Sequence, residues 1–184
     1  CIPNLVIFAP RNELELRNII YTAQLGISKP LAIRYPRGRG VVIDWKQPFK
    51  EIQFGKGKCL KKGTNVAVLT IGHFGNLEDV WKLFDTDTLT KIGHYDMRFI
   101  KPLDETLLHD VFNTYETIIT IEDGTIIGGF GSAIVEFASH HSYQNKIEIL
   151  GIPDQFIDHG KKEELFELVH LSPKHVFQSI SSYL

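Results

Sequence analysis

The chain has 184 residues, 43% of them hydrophobic and 23% charged, with a formal net charge of -2. That balance excludes dominant disorder, and no apolar run approaches the ~20 residues of a membrane-spanning helix. Two cysteines, Cys1 and Cys59, exclude a disulfide scaffold or a cysteine-rich metal site and point to a reducing, cytoplasmic setting.

At about 150 residues per domain, the length predicts one domain plus a remainder. A start at Cys1 instead of Met reads as a piece of a larger protein rather than a lipidated terminus, and no secretory leader is visible. The charge is unevenly spread: residues 1–62 carry +8 and residues 63–184 carry -10. Such asymmetry suits two units, or one face that meets an anion. The plainer reading has Lys56, Lys58, Lys61 and Lys62 solvating a turn-rich edge.

In chain order, Leu5-Val6-Ile7-Phe8-Ala9 reads as a buried strand ended by Pro10. Asn12 and Glu15 have capping-box spacing, and apolar positions then recur at helical period to a stop at Gly26. Leu31-Ala32-Ile33-Arg34-Tyr35 is a second strand, stopped by Pro36. Together these make a parallel strand–helix–strand unit. Residues 38–51, broken by Gly38, Gly40 and Pro48, read as a crossing segment. A hairpin is expected from Lys58-Cys59-Leu60 through Gly63 into the strand Val66-Ala67-Val68-Leu69-Thr70-Ile71.

Next come a helix over 77–84, a strand over 91–99 and a helix over 103–112 with Asp104 and Glu105 at its start. Thr117-Ile118-Ile119-Thr120-Ile121 predicts a central strand. A helix around 134–138, a strand over 147–150 and helices over 163–170 and 174–181 complete the chain. Strands alternating with helices predict the α/β class with a mostly parallel sheet.

Arg34-Tyr35-Pro36-Arg37-Gly38 stands at the C-terminal end of a parallel strand, the edge beyond which open α/β sheets bind ligands. An arginine there can fork onto phosphate or carboxylate, or pair with a surface acid such as Asp44. Glu122-Asp123-Gly124 and Gly128-Gly129-Phe130-Gly131-Ser132 place two acids and a glycine-rich turn before a helix. No nucleotide motif matches, so close helix-on-sheet packing is the favoured reading, with a small-anion regulatory site as the weaker one. The eight histidines, among them His140-His141, show no metal-ligand spacing. Asp154 and Asp158-His159-Gly160 suit turn and capping chemistry more than proton transfer. No nucleic-acid-binding pattern is present.

Several stretches match a known family in order: Ile2-Pro3-Asn4, the helix entry over 10–16, Arg34-Tyr35-Pro36-Arg37-Gly38, Gly55-Lys56-Gly57, Met97-Arg98-Phe99-Ile100-Lys101-Pro102-Leu103-Asp104, Gly128-Gly129-Phe130-Gly131-Ser132 and Gly151-Ile152-Pro153-Asp154. The set resembles the carboxy-terminal part of the 1-deoxy-D-xylulose-5-phosphate synthase family, within the transketolase-like thiamine diphosphate enzymes. The resemblance implies a transferase that condenses pyruvate with glyceraldehyde 3-phosphate. It further implies thiamine diphosphate and Mg2+ as cofactors, a cytoplasmic homodimer, and no nucleic-acid or membrane partner.

In that frame residues 1–45 are the tail of the pyrimidine-binding domain, 46–51 a linker, and 52–184 a three-layer transketolase C-terminal-like domain. Arg37 takes the place of the arginine that holds the substrate phosphate, and Arg34 supports its loop. No catalytic, cofactor-binding or metal residue falls within this chain. Glu122-Asp123-Gly124 departs from the family's more usual Glu-Glu-Asn. A partial sheet at residues 1–45 should leave apolar surface exposed around Leu5–Phe8 and Leu31–Tyr35 unless another copy covers it. The alternative is that residues 52–184 form a non-catalytic docking or dimerisation module like the C-terminal domains of ketoacid dehydrogenases.

Overall fold

The computed structural model describes residues 2–36, 38, 40, 44 and 46–184. Strand β1 (Val6–Phe8), helix α1 (Glu13–Gln24) and strand β2 (Leu31–Ile33) form the expected crossover, with β1 and β2 parallel. Asn12 caps α1 by accepting the Glu15 backbone N–H at 3.0 Å. Gly26, at φ 104°, follows the helix C-terminus, where a left-handed residue is common.

The second part holds β3 (Lys58–Lys61), β4 (Val66–Thr70), a 3-10 turn (Gly72–Gly75), α2 (Glu78–Trp81), α3 (Thr86–Leu89), β5 (Ile92–Asp96), β6 (Phe99–Lys101), α4 (Glu105–Thr114), β7 (Thr117–Thr125), α5 (Phe130–His140), β8 (Lys146–Ile152), α6 (Lys162–Leu168) and α7 (Pro173–Ser181). Five strands form one sheet in the order β3-β5-β4-β7-β8, parallel except for edge strand β3.

Alternation along the strands sends side chains to two cores. Ala67, Leu69 and Ile118 face α4 and α5, where Leu108, Phe112, Ile134 and Phe137 pack. Val66, Val68, Ile119 and Ile121 face α2 and α7, where Val80, Val176 and Ile180 pack. The result is the expected three-layer arrangement, helices on both faces of a mostly parallel sheet.

Three local expectations are corrected. The strand at Lys58–Lys61 makes no hairpin with β4; it runs antiparallel to β5, because β4 already has parallel partners on both sides. The helix expected over 77–84 is a single turn, Glu78–Trp81, and a separate turn, α3, follows it, started by Asp85 accepting the Thr88 N–H at 2.8 Å. The strand expected over 91–99 breaks at Arg98, φ 57°, where the chain leaves one sheet for the other.

That break completes the first unit. β6 pairs antiparallel with β1, giving a three-stranded sheet in the order β2-β1-β6. The rings of Phe8 and Phe99 meet edge to face at 4.9 Å, and Val6, Ile19 and Ile52 close the small core around them. Phe8 is 0% exposed, so the apolar surface expected around Leu5 and Phe8 is largely covered by β6. Leu31 and Ile33 are half-buried, and Tyr35, at 62%, is exposed as expected.

The connecting segment lies along α1. Asn18 and Thr22, polar yet buried on that helix, accept the backbone N–H groups of Lys50 (3.1 Å) and Ile52 (2.9 Å). Two matched stretches also meet: Asp104 caps α4 at Leu107, takes the Lys56 ammonium at 3.1 Å and accepts the Gly57 N–H at 3.0 Å.

Two outcomes follow. Burial, with the charges of Arg11 and Lys61, lowers the His94 pKa from 6.5 to about 3. The unfolded chain therefore takes up a proton near pH 6.5 that the folded chain refuses until about pH 3. Its contribution is complete above pH 6.5 and is lost on acidification, by up to about 1.4 kcal/mol per pH unit. Urea midpoints at pH 7 and 4.5 should show this slope, and His94→Gln should flatten it. A Cβ at Gly129 would collide with the Thr125 carbonyl and the Glu122 carboxylate. Gly129→Ala should cost about 2 kcal/mol or more in urea unfolding, whereas Gly26→Ala, with open space around it, should cost less.

Candidate functional site

The C-terminal ends of β2 and β7 meet at one ion pair. Arg34, just past β2, donates from Nη2 to Asp123 Oδ1 at 2.5 Å and to the Asp123 carbonyl at 2.9 Å. Its backbone N–H bonds the Phe8 carbonyl at 2.8 Å, so both ends of the residue are fixed. Arg34 thus pairs with Asp123, 89 residues away, while a pairing of Arg37 with an acid such as Asp44 lies outside the described residues. Arg37 lies outside the described residues. Pro36 and Gly38 on either side of it are exposed, and Gly38 adopts φ 150°.

Burial works against ionisation of Asp123, but His73 and the Arg34 guanidinium outweigh it and hold the carboxyl below its usual value. His73 Nδ1 stands 3.9 Å from Asp123 Oδ2, too far for a hydrogen bond, so it acts through space. Gly72, at φ 64°, makes the turn that brings His73 to the end of β7.

Glu122, next to Asp123, points the other way and is buried. Its two oxygens accept the N–H groups of Phe130 (2.9 Å) and Gly131 (2.8 Å) at the start of α5. The N-cap residue, Gly129, has no side chain to do this. Ser132 ties the turn by bonding the Ile126 carbonyl and the Gly128 N–H. The glycine-rich turn is thus an anion cradle already filled by a carboxylate of the same chain, which removes the small-anion reading of it.

The remaining candidates do not converge. Asp154, Asp158 and His159 are exposed on the segment between β8 and α6, and no hydrogen bond or ion pair joins them. His140 and His141 stack edge to face at the end of α5, and His109 Nδ1 meets the Tyr143 hydroxyl at 2.8 Å. Among the described residues no three His, Cys, Asp or Glu side chains gather as metal ligands, and no helix is long and apolar enough to cross a membrane. The partnership of Arg34 with Asp123, and the role of His73 beside it, carry no local sequence signal; only the two ends of the pair stand out as motifs.

The family model "Transketolase, C-terminal domain" matches residues 55–176. The 1-deoxy-D-xylulose-5-phosphate synthase of Cytophaga hutchinsonii is 48% identical over 181 residues, 98% of this chain and 28% of that protein. That of Bacteroides thetaiotaomicron is 51% identical over 168 residues, 91% of this chain and 26% of that protein. That of Aquifex aeolicus is 37% identical, across all of this chain and 29% of that protein. The chain spans less than a third of the length of these relatives. Among solved structures, a split-gene transketolase described as an inactive beta4 tetramer superposes with a TM-score of 0.80 at 28% identity, over all of this chain and 58% of that one. A transketolase from Campylobacter jejuni shares the fold, with a TM-score of 0.60 at 17% identity over 98% of this chain and 26% of that one. The chain belongs to the transketolase C-terminal domain family and corresponds to the carboxy-terminal part of 1-deoxy-D-xylulose-5-phosphate synthases.

Proposed function

We propose that this chain is the carboxy-terminal part of a synthase that condenses pyruvate with glyceraldehyde 3-phosphate to carbon dioxide and 1-deoxy-D-xylulose 5-phosphate. Identity of 37–51% to such synthases along most of the chain supports the reaction class. Within it, residues 1–45 are the tail of the pyrimidine-binding domain, 46–51 the linker and 52–184 the C-terminal domain. The enzyme works as a cytoplasmic homodimer.

The observation that carries the site is the lock on Arg34. Arg34 is tied to β1 through its backbone N–H and to two oxygens of Asp123 through Nη2. It fixes the root of the Arg34-Tyr35-Pro36-Arg37-Gly38 loop at the edge where strands of both sheets end. In this reading Arg37 takes the substrate phosphate by a bidentate, charge-assisted fork, and Arg34 is its positioning residue.

The residues here do not fit thiamine diphosphate with its magnesium ion. No ligand cluster exists among the described residues, and Glu122 fills the helix N-terminus that a diphosphate would want. Cofactor binding belongs to other parts of such a synthase, and this chain alone is inactive.

Steady-state kinetics on the complete enzyme test the site. Arg37→Ala should raise KM for glyceraldehyde 3-phosphate about 10- to 100-fold, as expected for loss of a charge-assisted phosphate contact, with KM for pyruvate and Tm unchanged. An unaltered KM for the phosphorylated aldehyde defeats the assignment. Asp123→Asn should give a smaller rise in the same KM together with a lower Tm, because it frees the loop root without touching the phosphate.

A further inference from the structure

A cleft of about 700 Å³ opens between the 3-10 turn and α2 on one side and α6 and α7 on the other. Its size falls in the range of small-molecule sites, about 300–1,000 Å³. Arg34 does not line it.

One wall is aromatic. His73 stacks on Phe166 with ring centres 5.3 Å apart and planes 10° apart, and Phe74 leans on both rings at 4.4 and 5.4 Å. The other feature is a guanidinium that, among the described residues, is held only by two long ion pairs. Arg11 makes no side-chain hydrogen bond among the described residues; its Nε stands 3.7 Å from Asp96 and 3.8 Å from Glu15. Glu15 is instead bonded by Arg98 at 2.6 and 3.0 Å. Burial and the neighbouring Glu15 push the Asp96 carboxyl well above its usual range, so the charge of Arg11 is incompletely balanced.

The two features are held in register. The Asn76 amide donates to the Arg11 carbonyl at 2.5 Å and to the His73 carbonyl at 3.2 Å, pinning both backbones to one turn. Such a preset fork beside a ring platform fits a planar molecule with one oxyanion. The lining also carries Glu78, Asp79, Glu163 and Glu167, which repel polyanions, and Lys162, whose ammonium lies 5.3 Å from the centre of the Phe166 ring.

We propose that this cleft binds a small planar-ring compound bearing a single carboxylate or phosphate, its oxyanion on Arg11 and its ring against Phe74 and Phe166. The ligand chemistry follows from these contacts alone and stands whether or not Arg37 holds a substrate.

The test is an NMR titration of the 184-residue chain with benzoate and, separately, phenyl phosphate, with benzylamine as a cationic control. We expect saturable shifts at the Arg11 Nε–H and the His73 and Phe166 rings, with Kd at or below about 1 mM for one of the two acids. The tighter acid identifies the anion, and benzylamine should leave these signals unmoved. Arg11→Gln should weaken binding at least about 10-fold, and Phe166→Ala about 5-fold. Absence of saturable shifts with both acids overturns the proposal, as does benzylamine binding as tightly. If Arg11→Gln fails to fold, Phe166→Ala decides: an unchanged Kd in that variant also overturns it.

Discussion

The carboxylate of Glu15 lies buried at the start of α1, where two nitrogens of Arg98 close on one of its oxygens at 2.6 and 3.0 Å. Breaking such a pair would strand a buried charge at a cost of about 3–5 kcal/mol. The pair spans 83 residues and joins the first unit to the turn between β5 and β6. Arg98 holds φ 57°, a left-handed conformation that an arginine rarely adopts. Three contacts keep it there: its N–H on Asp96 at 3.1 Å, its carbonyl on the Ala9 N–H at 2.8 Å, and Glu15. This conformation is the bend that turns the chain out of the five-stranded sheet and lets β6 pair with β1. The small core around Phe8, which Phe99 of β6 completes, depends on it.

Two adjacent acids at the end of β7 show how strand geometry divides labour. Successive side chains point to opposite faces. Glu122 turns inward and satisfies two N–H groups of α5; Asp123 turns to Arg34 and His73. Read as alternate faces they become a helix cap and a strap between sheets. A phosphate guest at the glycine-rich turn would have to displace a carboxylate that the chain itself supplies and that cannot diffuse away.

The sequence made elements legible where the signal is local. Asn12 caps α1, Thr117-Ile118-Ile119-Thr120-Ile121 is an interior strand, and α5, α6 and α7 stand where apolar periodicity puts them. It misled where tertiary partners override spacing. Glu15 has capping-box spacing to Asn12, yet its carboxylate goes to Arg98. Lys58–Lys61 has hairpin spacing to β4, yet pairs with β5. The candidate site divides the same way: Arg34 and Asp123 each stand in a conspicuous motif, but nothing within either motif encodes the other as its partner. A single chain carries no record of contacts 89 residues apart.

The uneven charge, +8 before residue 63 and -10 after it, acquires a physical meaning from these contacts. Arg34 binds Asp123 and Lys56 binds Asp104, each a cation of the first stretch on an acid of the second. Lys61 lies over the Trp81 ring and donates to the Leu89 carbonyl. Lys56 and Lys61 are therefore used inside the fold rather than spread on a solvated edge, while Lys58 and Lys62 are exposed. An isolated surface pair is worth about 0–1 kcal/mol, but these acids are largely buried, and removing either partner leaves the other desolvated. The asymmetry is thus the signature of two stretches that neutralise one another across a shared seam. Arg11, whose side chain makes no hydrogen bond among the described residues, is the exception, and it lies where the seam opens into a cleft lined by aromatic rings.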